Sequence, residues 1–230
     1  MLIELGKKPF NYKLDFTIPE TDNIGLFLSG GLDSCILLCL IIEELKRTNR
    51  QTPIHIFVCN SSENAPLHAK RMFDVISKEY EIKLIYHKNY DVSDEAKKNL
   101  VFDFDITRQV YKKFDNMVLY VAGNNSWEKT QWADQIPLLY DIESTNTSVK
   151  LPWSYPEEPH VTYPFLNMLK SQIMDIFYKL GKEHLMQYAY YCVNVNFPPN
   201  CNKCYSCEET AMAFKLLGKT IPKYKKIKDI

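Results

Sequence analysis

Short apolar runs alternate with stretches of helical period along the chain. Residues 24–28 (IGLFL), 54–59 (IHIFVC), 82–86 (IKLIY) and 117–121 (MVLYV) are compact runs bounded by polar or turn-forming residues, as buried strands are. Between them, Leu32, Cys35, Ile36, Leu38, Cys39, Ile42 and Leu45 recur at helical spacing over residues 32–46. Residues 66–80 read as a helix opening at Pro66, and residues 104–114 as a third. Strand–helix–strand order predicts βαβ units and a parallel sheet. Strands this apolar suit a sheet covered on both faces. The expected class is therefore α/β, a Rossmann-like sheet.

The pattern breaks over residues 127–160, which carry three Trp and four Pro. A long irregular segment in a compact domain is often a lid or binding loop. Trp127, Trp132 and Trp153 either stack on a heterocycle there or anchor the loop by burying area, the second being favoured. Helical period returns over 167–189, with Leu169, Ile173, Ile176, Phe177 and Leu180 as the expected buried stripe. A short helix is expected near 207–217, followed by a basic, frayed tail.

Apolar residues make up 46% and charged residues 24% of the 230, which excludes a disordered chain. Lys plus Arg and Asp plus Glu are 28 each, and that neutrality argues against a protein that lives by gripping nucleic-acid backbone. The longest strongly apolar run, Cys35 to Ile42, is eight residues. A membrane-spanning helix needs about 20. The first residues hold no apolar block long enough for a secretory signal, so the expected compartment is the cytoplasm, with no membrane partner and with thiols reduced. Of the seven cysteines, Cys35, Cys39 and Cys59 lie on apolar faces and suit core packing. The other four are crowded near the C-terminus.

Ser29-Gly30-Gly31-Leu32-Asp33-Ser34 joins the first expected strand to the first helix. In an open α/β sheet, ligands bind at the carboxyl ends of the strands, where helix N-termini point. Two glycines let backbone approach an anion closely, and amides at a helix start favour phosphate. Ser29 and Ser34 add hydroxyls. Asp33 would repel a bare phosphate, so it suggests bound Mg²⁺ or a role in holding the loop. The lysine of GxxxxGK[ST] is missing, so this is not the loop of the common NTPases. Cys192, Cys201, Cys204 and Cys207 follow C-x8-C-x2-C-x2-C. Among reduced thiols this spacing describes a metal site, structural Zn²⁺ with an iron–sulfur cluster as the chemical rival.

SGGLDS followed by an apolar helix resembles the PP-loop of the ATP pyrophosphatases. That superfamily splits ATP between its α and β phosphates and transfers AMP to a carboxylate or carbonyl oxygen. With the cysteine spacing, Tyr163–Ile173 (YPFLNMLKSQI) and Tyr191-Cys192-Val193-Asn194, the chain resembles the 7-cyano-7-deazaguanine synthase family. The resemblance implies a PP-loop (HUP-type) sheet with a small C-terminal zinc subdomain: a nucleotide-binding domain over 1–160 and a helical region over 161–230. It implies that ATP adenylates 7-carboxy-7-deazaguanine, that ammonia displaces AMP to give the amide, and that a second adenylation yields the nitrile. Ser29, Asp33, Ser34 and Lys170 would then be the catalytic set. Leu28, Gly30, Gly31, Leu32, Asn60, Gly123 and Asn124 would complete the nucleotide pocket, with Mg²⁺ as cofactor. Cys192, Cys201, Cys204 and Cys207 would hold zinc, and the protein would be a homodimer.

The chain departs from the family on the side that faces the base. Its second strand runs into Cys59-Asn60-Ser61-Ser62-Glu63-Asn64 instead of an aromatic-Gly-Gln-Arg-His motif. Ile106-Thr107-Arg108-Gln109 stands in place of Gly-Arg-Asn, and Ser126-Trp127-Glu128 has no counterpart. A diverged ligase joining a deazapurine carboxylate to an amine on a protein or nucleic acid is therefore the second reading. A zinc-stabilised nucleotide-binding module without turnover is the third. None of the five histidines adjoins a motif, and His55 reads as structural.

Overall fold

The computed structural model describes residues 1–6, 11–59, 65–80, 82–90, 107, 109–110, 113–114, 116–123, 126–128, 143–144, 148–150, 160–192 and 201–225. In chain order its strands are β1 (Leu2–Leu5), β2 (Tyr12–Asp15), β3 (Asn23–Phe27), β4 (Ile54–Cys59), β5 (Leu84–Tyr90), β6 (Met117–Tyr120), β7 (Ser126–Glu128), β8 (Glu143–Ser144), β9 (Ser148–Lys150) and β10 (Val161–Thr162). The helices are α1 (Leu32–Arg47), α2 (Ala65–Glu79), α3 (Lys170–Lys179), a 3₁₀ helix (Glu183–Tyr188) and α4 (Tyr205–Leu217). Residues 107, 109 and 110 are also helical, inside the third helix expected from the sequence. Among the described residues no helix is long and apolar enough to cross a membrane. The chain divides into two compact units: Thr17–Ala122 with Glu158–Pro164, and Met1–Phe16 with Gly123–Glu157 and Phe165–Ile230.

The first unit is a parallel five-stranded sheet in the order β10-β6-β3-β4-β5. This is the Rossmann-like α/β architecture expected from the apolar runs. Its fifth strand, β10, has no pattern of its own: two half-buried residues, held by Leu119 N–H to His160 O (2.8 Å) and Val121 N–H to Thr162 O (3.0 Å). Sequential strands run outward from β3 through β4 to β5, then the chain returns to β6 on the other side of β3. The strand order therefore reverses at β3, which makes its carboxyl end the topological switch point, where crevices open in such sheets.

Helix α1 is buried nearly all round: Leu37, Leu40 and Ile41, off the expected stripe, are as covered as Leu38 and Ile42. An apolar helix without a polar face belongs in an interior. Its one deeply buried charge, Glu44 (2% exposed), takes two 2.7 Å hydrogen bonds from Arg47, which hold its carboxyl below the usual range. Tyr80, just past α2, donates to Glu43 (2.9 Å) and ties the ends of α1 and α2.

One sheet face is built from Phe27, Phe57, Met117, Leu119 and Val121, with Val110 and Phe114 packed on it. Gly25 leaves room for this packing: a Cβ there would come within 2.6 Å of Leu119 Cδ1 and 2.7 Å of Met117 Sδ, and those side-chain ends would have to shift. On β4 and β5, His55 Nδ1 and His87 Nε2 lie 2.9 Å apart, and His55 Nε2 is 3.2 Å from Asn23 Oδ1. Phe114 sets its edge against both rings. His55 is thus structural, as expected, though it forms a pair that the sequence alone does not disclose.

In the second unit, β1 and β2 form an antiparallel hairpin with Ile3, Leu5 and Leu14 inward, and Gly6 N–H donates to Asp175 on α3 (2.9 Å). Strands β7, β9 and β8 form a small antiparallel sheet. The helix expected over 167–189 is two elements. It breaks at Gly181, whose φ of +66° and the Lys182 N–H to Phe177 O bond (2.7 Å) end α3 before the 3₁₀ turn. Of the tail expected to be frayed, residues 219–225 are tied down, and 226–230 lie outside the described residues. Lys225 N–H bonds Gln187 O (2.9 Å), and Lys219 and Lys225 place their ammonium groups 4.7 and 5.4 Å from the Tyr178 and Tyr188 ring centres.

Burial, then the facing His87, lowers the pKa of His55; burial, then Lys113, lowers that of His87. A base with a depressed folded pKa is protonated first in the unfolded chain. The folded state is therefore favoured while both rings are neutral, and loses that advantage as pH falls through the ordinary histidine range near ~6.5. Denaturant midpoints at pH 7.5 and 5.5 should show a fall on acidification that is smaller in His55→Gln. An equal fall in the two proteins would contradict the assignment.

Candidate functional site

Strand β3 hands the chain to the loop through Leu28, which is buried and donates its N–H to Phe57 O (2.9 Å). Ser29 is exposed at the sheet edge. Gly30 has a φ of +78°, and a Cβ there would lie 2.4 Å from the His68 carbonyl carbon, 2.6 Å from its oxygen and 2.7 Å from Ala69 N. These are backbone atoms of α2, which cannot retreat as a side chain can. Glycine is therefore required twice over, by conformation and by the close approach of the helix.

Gly31 is the N-cap of α1, extended, with no side chain to cap the first turn. The loop is closed by its serines instead. Ser34 Oγ accepts from Ser29 N–H (3.2 Å) and lies 2.9 Å from Ser29 Oγ, while Ser29 Oγ accepts from Gly31 N–H (3.2 Å). Leu32 is buried, so its side chain anchors the turn and only its backbone can face a ligand. Asp33 is half-buried in the first turn of α1, where a carboxylate is favoured by the dipole. Amides at a helix start, two hydroxyls and a switch-point position together form a cradle suited to an anion.

Lys170 opens α3 in the second unit and is 5% exposed. It is thus not the solvated lysine common at helix starts. Gln172 Oε1 accepts from Leu169 N–H (2.8 Å) and fixes that turn. Gly123 is half-buried where this unit resumes after β6. Asn60, Asn124, Trp132 and Trp153 lie outside the described residues; Trp127 falls on β7, its side chain outside them.

The sulfur atoms of Cys192, Cys201, Cys204 and Cys207 all lie within 4.8 Å of one another, with Cys192–Cys204 and Cys201–Cys207 at 3.9 Å. Tetrahedral bonds of about 2.3 Å put sulfurs about 3.8 Å apart, so the set fits one zinc ion. Cys204 caps α4 and Cys207 sits in its first turn, which is how two CxxC steps converge. Cys204 N–H donates to Cys201 Sγ (3.3 Å), and Ser206 Oγ to Tyr191 O (2.6 Å), joining the segments on either side. The backbone N–H of Lys203 leads in drawing the Cys201 thiol down to about 7, while burial pushes Cys207 up. Cys35 and Cys39 are buried in α1, in keeping with core packing; the Cys59 side chain is outside the described residues.

No family model matches the chain, and no curated protein matches it. Among solved structures it is similar to NMN synthetase from Francisella tularensis (13% identity, TM-score 0.40, covering 88% of this chain and 79% of that one). It is also similar to NAD+ synthetase from Burkholderia pseudomallei (13%, 0.40, 88% and 76%) and to NH3-dependent NAD synthetase from Campylobacter jejuni (15%, 0.39, 90% and 91%).

Elemental analysis of purified protein should find about one zinc per chain, and chelation should lower its thermal midpoint. Iron in its place, or a metal-free protein of unchanged stability, would contradict the assignment of the four cysteines to zinc.

Proposed function

We propose that the protein is an ATP-dependent carbon–nitrogen ligase that adenylates a deazapurine carboxylate, 7-carboxy-7-deazaguanine, and passes the acyl group to ammonia. The observation that carries this reading is the SGGLDS loop at the switch point of a parallel sheet, closed by its own serines at an uncapped helix start.

A carboxylate is a poor electrophile because oxide would have to leave. One carboxylate oxygen attacks the α-phosphorus of ATP, the bond to the β-phosphate bridge breaks, and pyrophosphate departs. The nitrogen of ammonia then attacks the acyl carbon, AMP leaves and a proton is lost to give the amide. In a second cycle the amide oxygen attacks the α-phosphorus of another ATP and pyrophosphate departs; loss of AMP and of both amide N–H protons then leaves the nitrile. No protein nucleophile is needed; orientation and charge stabilisation suffice. The amides of Gly30 and Leu32 and the hydroxyls of Ser29 and Ser34 bind the departing phosphates. Asp33 is the carboxylate that would hold Mg²⁺, whose charge would offset that of the phosphates. The resemblance assigns Lys170 to the same phosphates, and its burial suits a lysine with a task other than solubility. In its own unit the zinc would hold the start of α4 to the segment at Cys192.

The departures at Cys59–Asn64 and Ile106–Gln109 favour a second reading on the acceptor side, in which the same acyl adenylate meets an amine on a protein or nucleic acid.

Incubation with ATP, 7-carboxy-7-deazaguanine and ammonium should release AMP and pyrophosphate, and product mass should separate nitrile from conjugate. Lys170→Ala should slow turnover on the order of a hundredfold or more, with zinc content unchanged. Release of ADP would overturn the reading, and normal turnover would remove Lys170 from the site.

A further inference from the structure

Beside the loop, α2 carries a charge that the proposed chemistry does not use. Helix α2 follows β4, which runs parallel to β3, so its first turns lie at the same carboxyl edge of the sheet. The crowding of Gly30 against the backbone of His68 and Ala69 places those turns against the loop. Arg71 stands one turn beyond His68 and is 5% exposed. Side chains on a helix lean back toward its N-terminus, so this side chain lies over the His68 turn, the turn that crowds Gly30. A guanidinium cannot shed its proton when buried. Its planar fork matches phosphate in bidentate fashion. His68 reports the charge: burial, then Arg71, lowers its pKa, so the ring beside the loop stays neutral and the fixed positive charge there is the arginine's.

We propose that Arg71 is a further anion-binding residue of the cradle, contacting the pyrophosphate end of a nucleoside triphosphate from the α2 side. This rests on the reading of the Ser29–Ser34 loop as a phosphate site. Half-buried Lys70, which is paired with Asp74 at 2.5 Å, serves as the control for loss of a positive charge on the same helix.

The test is calorimetric titration of the full-length zinc-loaded chain with magnesium pyrophosphate and, separately, with adenosine. Arg71→Gln should weaken pyrophosphate binding on the order of tenfold or more while leaving adenosine affinity and zinc content unchanged. Arg71→Lys should recover only part of the loss, and Lys70→Gln should bind as the wild type does. Should Arg71→Gln fail to fold, Arg71→Lys carries the test, a severalfold loss supporting the proposal and unchanged affinity overturning it. Wild-type affinity in Arg71→Gln, with a loss in Ser34→Ala, would remove Arg71 and leave the loop standing. A wild-type chain that binds no pyrophosphate would remove both.

Discussion

The nucleotide site proposed for this chain depends on one close approach: loop backbone against helix backbone at Gly30. A side chain at that position would drive its Cβ to within 2.4 Å of the His68 carbonyl carbon. With only hydrogen there, the loop turns back on α2 and presents the start of α1 without a capping side chain. No side chain of the N-cap residue then competes with an anion for the helix start. The serines brace the loop instead, through the contact between Ser29 Oγ and Ser34 Oγ. The cradle is therefore a property of backbone geometry, with side chains in a supporting part.

Topology places that geometry where it can be used. The strand order reverses at β3, so the loops leaving β3 and β6 diverge and a crevice is expected beside the loop. Within β3, Gly25 makes room for the side-chain ends of Leu119 and Met117 of the neighbouring strand, a softer constraint than the backbone contact at Gly30. The parallel sheet thus approaches closely both along its strands and at its carboxyl edge.

The α/β class, β3, β4, β6, α1 and α2 are legible from apolar runs and helical spacing because they are long or uniformly apolar. Strand β10 is not, since two half-buried residues carry no period. The hairpin of β1 and β2 does alternate, with Ile3, Leu5 and Leu14 inward, but its four-residue strands fall below what a pattern search separates from coil. The stretch 167–189 keeps its apolar spacing across Gly181, and only the positive φ there reveals the break. At the site, SGGLDS and the four clustered cysteines are visible as strings, because turn chemistry and metal ligation both demand fixed residue types at short spacing. Arg71 is not visible in that way: only the contact of Gly30 with His68 and Ala69, distant in the chain, brings the preceding turn of α2 against the loop. The His55–His87 pair is likewise a product of cross-strand register.

The most direct measurement is a crystal structure of the chain with a non-hydrolysable ATP analogue and Mg²⁺. Phosphate oxygens are expected against the amides of Gly30 and Leu32, within hydrogen-bond reach of Ser29 and Ser34. An analogue bound elsewhere, with the loop still closed on its own serines, would contradict the phosphate-cradle reading.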